Sequence, residues 1–313
     1  MPHTRPRLGY LLVIFGAVMF GINGAVSRVA MRAGLTPESL TTLRITGATV
    51  VFVLAALIWR RSALRPPKGS SLLLVAGLGL VGVVSLQLTY NIAINRLPLG
   101  IALLIEYLAP VLVVLWVRFV RGEHVRNRMW AAVLLSLVGI ATVGQVWNGL
   151  AFDTLGIVMA LLAAVSFATY FLLGEHHVGF DDPLRVILWA FAFATIVMNA
   201  IAPIWKIGTL SGDAPLLGSL DDHALPLALV VAWIVLLGTV TPFFVQLLAL
   251  RHLPATVVTV VATLEPVIAV ILGWAWFRES LNGIQLVGGV LVMTGIALAQ
   301  SARREIVTQL PPQ

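Results

Sequence analysis

Apolar residues in this chain come in long unbroken runs, not in the strict alternation of a half-buried strand. Ten runs of about 20 residues, the length that crosses a bilayer core, are separated by short polar turns. They are Leu8 to Val26, Leu40 to Trp59, Leu72 to Ile92, Ile101 to Phe119, Met129 to Trp147, Leu155 to Leu173, Val186 to Trp205, Leu227 to Leu250, Thr256 to Phe277 and Ile284 to Ala299. Backbone in lipid must satisfy its own hydrogen bonds, so spanning segments are helices or closed barrels, and continuous apolar runs select helices. The pattern predicts an all-α polytopic membrane protein with ten transmembrane helices.

The pattern is also written twice. Leu97-Pro98, Pro110-Val111 and Glu123 return 156 residues later as Leu253-Pro254, Pro266-Val267 and Glu279, and Gly139-Ile140-Ala141 returns as Gly295-Ile296-Ala297. Earlier in each half the offset is 147, with Gly9, Ala17, Val18 and Phe20 matching Gly156, Ala164, Val165 and Phe167. Two domains follow, 1–150 and 151–313, each a five-helix repeat. An odd number of spans per copy sends the second copy into the membrane the opposite way up. Such inverted repeats are a transporter architecture, with the substrate site near the midplane between the halves. The extra residues of the second half fall around Ile207 to Ala224, a Gly-, Ser- and Asp-rich stretch that reads as a solvated connector outside the membrane. A lid over the outer mouth is the sharper alternative. The first run follows a basic leader and contains Ala25-Val26-Ser27, the form of a cleavage site, but its match to the second half makes it a structural element that is retained.

Composition agrees with the runs. Of 313 residues 59% are apolar and 11% charged, where a soluble domain carries about 25% charge, and the mean hydropathy is +1.00. The net charge of +7 is explained by topology and not by nucleic acid, because an inward N-terminus places 14 of the 20 basic residues in cytoplasmic segments. Arg28, Arg32, Arg44, Arg96, Lys206 and Arg278 remain for the outside. Both termini are therefore expected in the cytoplasm. Residues 1–150 carry 14 basic and 3 acidic groups and residues 151–313 carry 6 and 10, a bias that suits opposite orientations of the halves. With no cysteine, disulfides and thiol chemistry are excluded.

Two carboxylates stand inside apolar runs, Glu106 four residues before Pro110 and Glu265 immediately before Pro266. Each costs roughly 2.5 to 3.5 kcal/mol in a span even on a lenient scale, which points to proton or substrate binding, with a structural, hydrogen-bonded carboxylate as the alternative. Pro110 and Pro266 free the carbonyls of Glu106 and Ala262 and are expected to break their helices near the midplane, where polar backbone can meet a ligand; a compensated kink is the plainer option. Further polar or aromatic residues within the runs, Asn23, Gln87, Tyr90, Asn91, Ser166, Tyr170, Thr241 and Gln246, are candidates for a shared cavity or for interhelical hydrogen bonds. Tyr90 and Gln246 are repeat partners, as are Asn23 and Tyr170. Arg44 reads as a snorkelling or capping residue near the outer end of the second run, which leaves no Lys or Arg in the middle of a span. Gly288, Gly295 and Ala299 form a small-residue face on the last run that could serve a homodimer. Asp181-Asp182 lacks a second acidic cluster and His176-His177 lacks further ligands, and no nucleophile, phosphate-loop or zinc motif is present, so neither an enzyme, a cofactor nor a metal is expected.

Leu264-Glu265-Pro266-Val267, followed by Glu279, Gly288 and Gly295, and echoed by Pro110-Val111, Gly122-Glu123 and Gly139, resembles the EamA-type branch of the drug/metabolite transporter superfamily over nearly the whole chain. The resemblance implies ten helices in two inverted repeats, a bacterial inner-membrane location and export of amino acids or related small metabolites. The first copy has Ala109-Pro110 where the second has Glu265-Pro266, with its acid moved to Glu106, a form similar to threonine/homoserine exporters. The expected function is a gradient-driven secondary transporter working by alternating access, with a small molecule and the bilayer as partners. Its rivals are an exchanger of phosphorylated compounds, which would need interior cations, and a membrane sensor or scaffold without flux.

Overall fold

A computed structural model describes residues 6–120, 122, 127–144, 153–175, 183–249, 252–253 and 261–308. Glu123, Pro254, His176, His177, Asp181 and Asp182 lie outside the described residues. The described chain is mostly helical: α1 (Pro6–Arg32), α2 (Pro37–Trp59), α3 (Ser70–Arg96), α4 (Leu99–Glu106), α5 (Ala109–Phe119), α6 (Asn127–Gly144), α7 (Thr154–Glu175), α8 (Pro183–Ile201), α9 (227–249), α10 (Leu264–Ala275) and α11 (Gly283–Thr308). Five helical segments, Arg7–Arg32, Pro37–Trp59, Ser70–Arg96, Leu184–Ile201 and Leu227–Val245, are long and apolar enough to cross a membrane, and shorter apolar helices accompany them.

Helix starts carry the chemistry that helix starts need. Thr36 accepts from the Ser39 N–H ahead of Pro37 at the start of α2, and Asn282 and Gln285 cap each other reciprocally before α11. Asp153 accepts from the Gly156 N–H at 2.9 Å and holds Arg96 at 2.9 Å, which ties α7 to the end of α3.

Repeat partners take matching places. In α3 the stretch Leu78–Ser85 opens into π-helix, and in α9 Leu236–Val240 does the same; at the offset of 156 the two overlap. The helix of the fourth run is interrupted at Tyr107 and Leu108, and the ninth is interrupted at Thr263, the repeat partner of Tyr107. Both breaks fall three residues before the prolines, where a ring without an N–H prevents the normal ladder from continuing. Leu97 packs on Gly156 and Leu253 on Gly9, which are again partners.

The small-residue face of the last helix is occupied within the chain. A Cβ on Gly288 would stand 2.8 Å from Gly139 O, and one on Gly295 2.8 Å from Ala132 O, so α11 lies against α6 at backbone distance. Gly288 and Gly295 of the expected seam thus pack within the chain, because only a facing backbone of small residues fits so close an approach.

The stretch after α8 is more than a solvated connector. Asp213–Pro215 and Ala224–Pro226 pair as an antiparallel hairpin. Ser219 bonds the end of α10 through its N–H to Trp276 O at 2.7 Å, while Trp276 Nε1 donates to Leu216 O at 2.7 Å. Nearby, buried Arg28 at the end of α1 bonds Glu279, Leu97 O and, at 2.8 Å, Ile94 O, and lies over the Phe277 ring. Glu279 also accepts from the Leu99 N–H at 3.0 Å. One guanidinium thereby joins α1, α3, the start of α4 and the segment after α10.

Candidate functional site

The two interrupted helices bring the carboxylates together. Glu106 is the last residue of α4 and Glu265 lies in the first turn of α10. Unpaired N–H groups at a helix start favour a negative charge, and the carbonyls at a helix end do not, so the two acids sit in different fields. Tyr107, immediately after Glu106, donates its hydroxyl to Glu265 Oε2 at 2.6 Å and lies 3.3 Å from Ala262 O. That second oxygen is the carbonyl that Pro266 frees. The break in one helix thus supplies the side chain that satisfies the break in the other.

Arg44 is the third charge, and here the sequence expectation fails. It does not snorkel: the residue is 2% exposed and points inward from α2. Nε donates to Thr239 Oγ1 at 2.6 Å and Nη2 to Gly238 O at 3.1 Å. Asn23, with its amide oxygen turned toward the guanidinium, accepts from both terminal nitrogens at 3.2 Å. The physical reason lies in α9. Pro242 has no N–H to offer the carbonyl four residues back, on Gly238, and the π-helical turn leaves that oxygen for an outside donor. Arg44 interacts electrostatically with Glu265, Glu106 and Tyr90. The interior therefore does hold a cation, contrary to the expectation that no Lys or Arg lies there.

Close approach depends on two glycines. A Cβ on Gly238 would stand 2.8 Å from Asn23 Cγ, and one on Gly24 would stand 2.9 Å from a Leu99 methyl and run into the Tyr90 hydroxyl. Gly82, the repeat partner of Gly238, meets Tyr170, the repeat partner of Asn23, in the corresponding way.

The remaining candidates divide. Tyr90 is buried beside the charged group, and its hydroxyl has no hydrogen-bond partner among the described residues. Gln87 is buried one turn earlier on α3. Asn91 donates to Thr41 Oγ1 at 2.9 Å, a link between α3 and α2, and its Oδ1 is unpartnered among the described residues. Ser166 pairs with Ser85 at 2.7 Å, joining α7 to α3, and Tyr170 packs on the π-helical turn. Thr241 and Pro266 are placed on α9 and α10. The side chains of Gln246 and Pro110 lie outside the described residues. Sequence reasoning missed Tyr107, Thr239 and the role of Arg44; Pro242, four residues after Gly238, was the available signal for the last two.

The EamA-like transporter family model matches residues 7–145 and again 154–300. Among similar proteins, the uncharacterized transporter YdfC of Bacillus subtilis is 25% identical over 91% of this chain and 89% of its own length. The threonine/homoserine exporter RhtA of Salmonella typhimurium is 27% identical over 97% of each chain, and RhtA of Escherichia coli K12 is 27% identical over 94% and 92%. A solved crystal structure at 22% identity superposes with a TM-score of 0.58, covering 92% of this chain and 98% of the other, and shares the fold.

Proposed function

This chain belongs to the EamA-like transporter family, and from that premise we propose that it is a secondary transporter exporting a small metabolite, an amino acid or close relative, by proton-coupled alternating access. The observation that carries the reading is the hydrogen bond that joins the two helix breaks, from Tyr107, beside Glu106, to Glu265, with a buried arginine, Arg44, held inside the bundle on the π-turn of α9. Charges that are costly in a membrane are kept where a substrate and a proton would have to bind.

The proposed architecture is ten transmembrane helices in two inverted five-helix repeats, 1–150 and 151–313. Paired π-turns, paired helix breaks and the matching Gly82–Tyr170 and Gly238–Asn23 contacts support it. The proposed location is a bacterial inner membrane with both termini cytoplasmic, supported by the distribution of Lys and Arg and by the similarity to bacterial transporters. That RhtA proteins are threonine/homoserine exporters supports amino acids as cargo. An exchanger of phosphorylated compounds gains the interior cation it lacked, Arg44, but a phosphate dianion would stand beside two carboxyl groups in a medium of low dielectric, which opposes it.

The test is reconstitution in sealed vesicles with an imposed pH gradient and a panel of labelled common amino acids. Gradient-dependent accumulation of at least one is expected; no flux of any panel member would overturn the reading in favour of a sensor or scaffold.

A further inference from the structure

Resting on that reading, we propose that the site is built for a zwitterion: Arg44 and the Tyr90 hydroxyl take the substrate's carboxylate, and Glu106 with Glu265 takes its α-ammonium group. The transporter would then demand both charges on one small molecule and reject substrates carrying only one.

The argument starts from what Arg44 lacks. Its hydrogen bonds go to neutral oxygens, those of Thr239, Gly238 and Asn23, and among the described residues it makes no ion pair. Guanidinium remains charged in proteins and has five N–H donors; these contacts leave one Nη1 N–H to spend. A buried cation solvated only by neutral groups is poorly compensated, and a carboxylate is the acceptor whose planar geometry suits the fork. Tyr90 makes a second, independent case. Its hydroxyl is buried without a partner among the described residues and interacts electrostatically with Arg44 and both acids. A native interior rarely leaves such a group unsatisfied, and of the unpartnered buried groups among the described residues Tyr90 is the one that lies beside the arginine: its hydroxyl meets Gly24, next to the Asn23 that bonds Arg44.

The acids supply the other pole. Neither carboxyl makes an ion pair with Arg44, but one turn of α1 gathers the groups: a Cβ on Gly21 would stand 3.4 Å from Glu265 O, Asn23 bonds Arg44, and Gly24 meets the Tyr90 hydroxyl, in keeping with the electrostatic coupling of Arg44 to both acids. A molecule that places an ammonium and a carboxylate on the same carbon meets the two poles with opposite charges correctly disposed. A simple amine would leave Arg44 and Tyr90 unpaired, and a simple carboxylic acid would stand against two carboxyl groups. The site is single because the residue 147 positions after Arg44 is Phe191, buried and packed on Phe52. The pseudo-symmetric place in the second half thus holds an aromatic ring in place of a cation.

The test uses wild-type protein first. In vesicles, counterflow of the fastest-moving panel amino acid is competed by the unlabelled amino acid, by its amide, which lacks the carboxylate, and by its des-amino acid, which lacks the ammonium. Both analogues are expected to compete at least roughly a hundredfold more weakly, since a site with buried groups left unpaired rejects the defective analogue strongly. In Arg44→Gln the amide and the amino acid are expected to compete within about tenfold of each other, because the group that distinguishes them is gone. An amide or des-amino acid competing within tenfold of the amino acid on wild type overturns the zwitterion site while leaving transport standing. Absence of counterflow with every amino acid overturns the transporter reading itself, and the zwitterion site with it.

Discussion

Tyr107 holds Glu265 by one hydrogen bond of 2.6 Å, and the residue before it is Glu106, so a single helix break positions both acids. Replacing the hydroxyl by hydrogen removes the bond and changes little volume. Tyr107→Phe is therefore expected to keep the protein folded and passive exchange within about twofold, while proton-driven accumulation falls roughly tenfold, the size of one net hydrogen bond of about 1.4 kcal/mol. Equal loss of exchange and accumulation would make Tyr107 a packing residue. At this scale the sequence was informative about the acids, because a carboxylate in an apolar run is costly and therefore conspicuous. It was silent about Tyr107, since a tyrosine in such a run reads as ordinary packing. It misled about Arg44: position near a span end suggests snorkelling, and only the neighbouring helix, with its π-turn and Pro242, shows that the guanidinium turns inward.

Elements owe their shapes to a few residues. The helix breaks were legible because proline has a fixed effect on the carbonyl four residues earlier. The π-turns in α3 and α9 were not, because no residue type announces them. Gly238 belongs to such a turn, and its hydrogen faces Asn23 at a distance that no methyl group tolerates. Gly238→Ala should push Asn23 from Arg44 and destabilise the protein by about 1–3 kcal/mol, the range of overpacked interiors, read as a lower thermal midpoint in detergent; an unchanged midpoint would mean that α9 shifts freely. At the start of α7, Asp153 is held below the usual carboxylate range, first by the Gly156 N–H and also by Arg96. A carboxyl depressed in the folded state stabilises above its unfolded pKa, and that stabilisation is lost as pH falls through the folded value. Asp153→Asn should thus weaken the protein near neutrality and flatten the fall of its midpoint below about pH 4. A parallel fall in both proteins would remove Asp153 from the acid response.

Across the whole molecule the two halves are alike in scaffold and unlike in chemistry. Repeat partners set the breaks, the π-turns and the glycine contacts, whereas Arg44, Tyr107 and the hairpin over Trp276 belong to one half only. The doubling was readable from aligned apolar and glycine positions, since it repeats backbone requirements; the departures were not, since each depends on partners distant in sequence, in the other half for Arg44 and Tyr107 and some 60 residues on for the hairpin. Arg28 adds a second joint between the halves through Glu279, distant in sequence and invisible to a local pattern. On the proposed mechanism, protonation of the interior acids is what couples the gradient to export, and Glu265→Gln mimics the neutral acid at nearly constant volume. The direct measurement is substrate accumulation in vesicles under a pH gradient, set beside gradient-free exchange in the same preparation. Glu265→Gln is expected to keep gradient-free exchange at a raised substrate concentration, since Glu106 alone then faces the ammonium group, yet to fail to concentrate substrate. Accumulation equal to wild type in Glu265→Gln, in Glu106→Gln and in the double variant would contradict the coupling role of the two carboxylates.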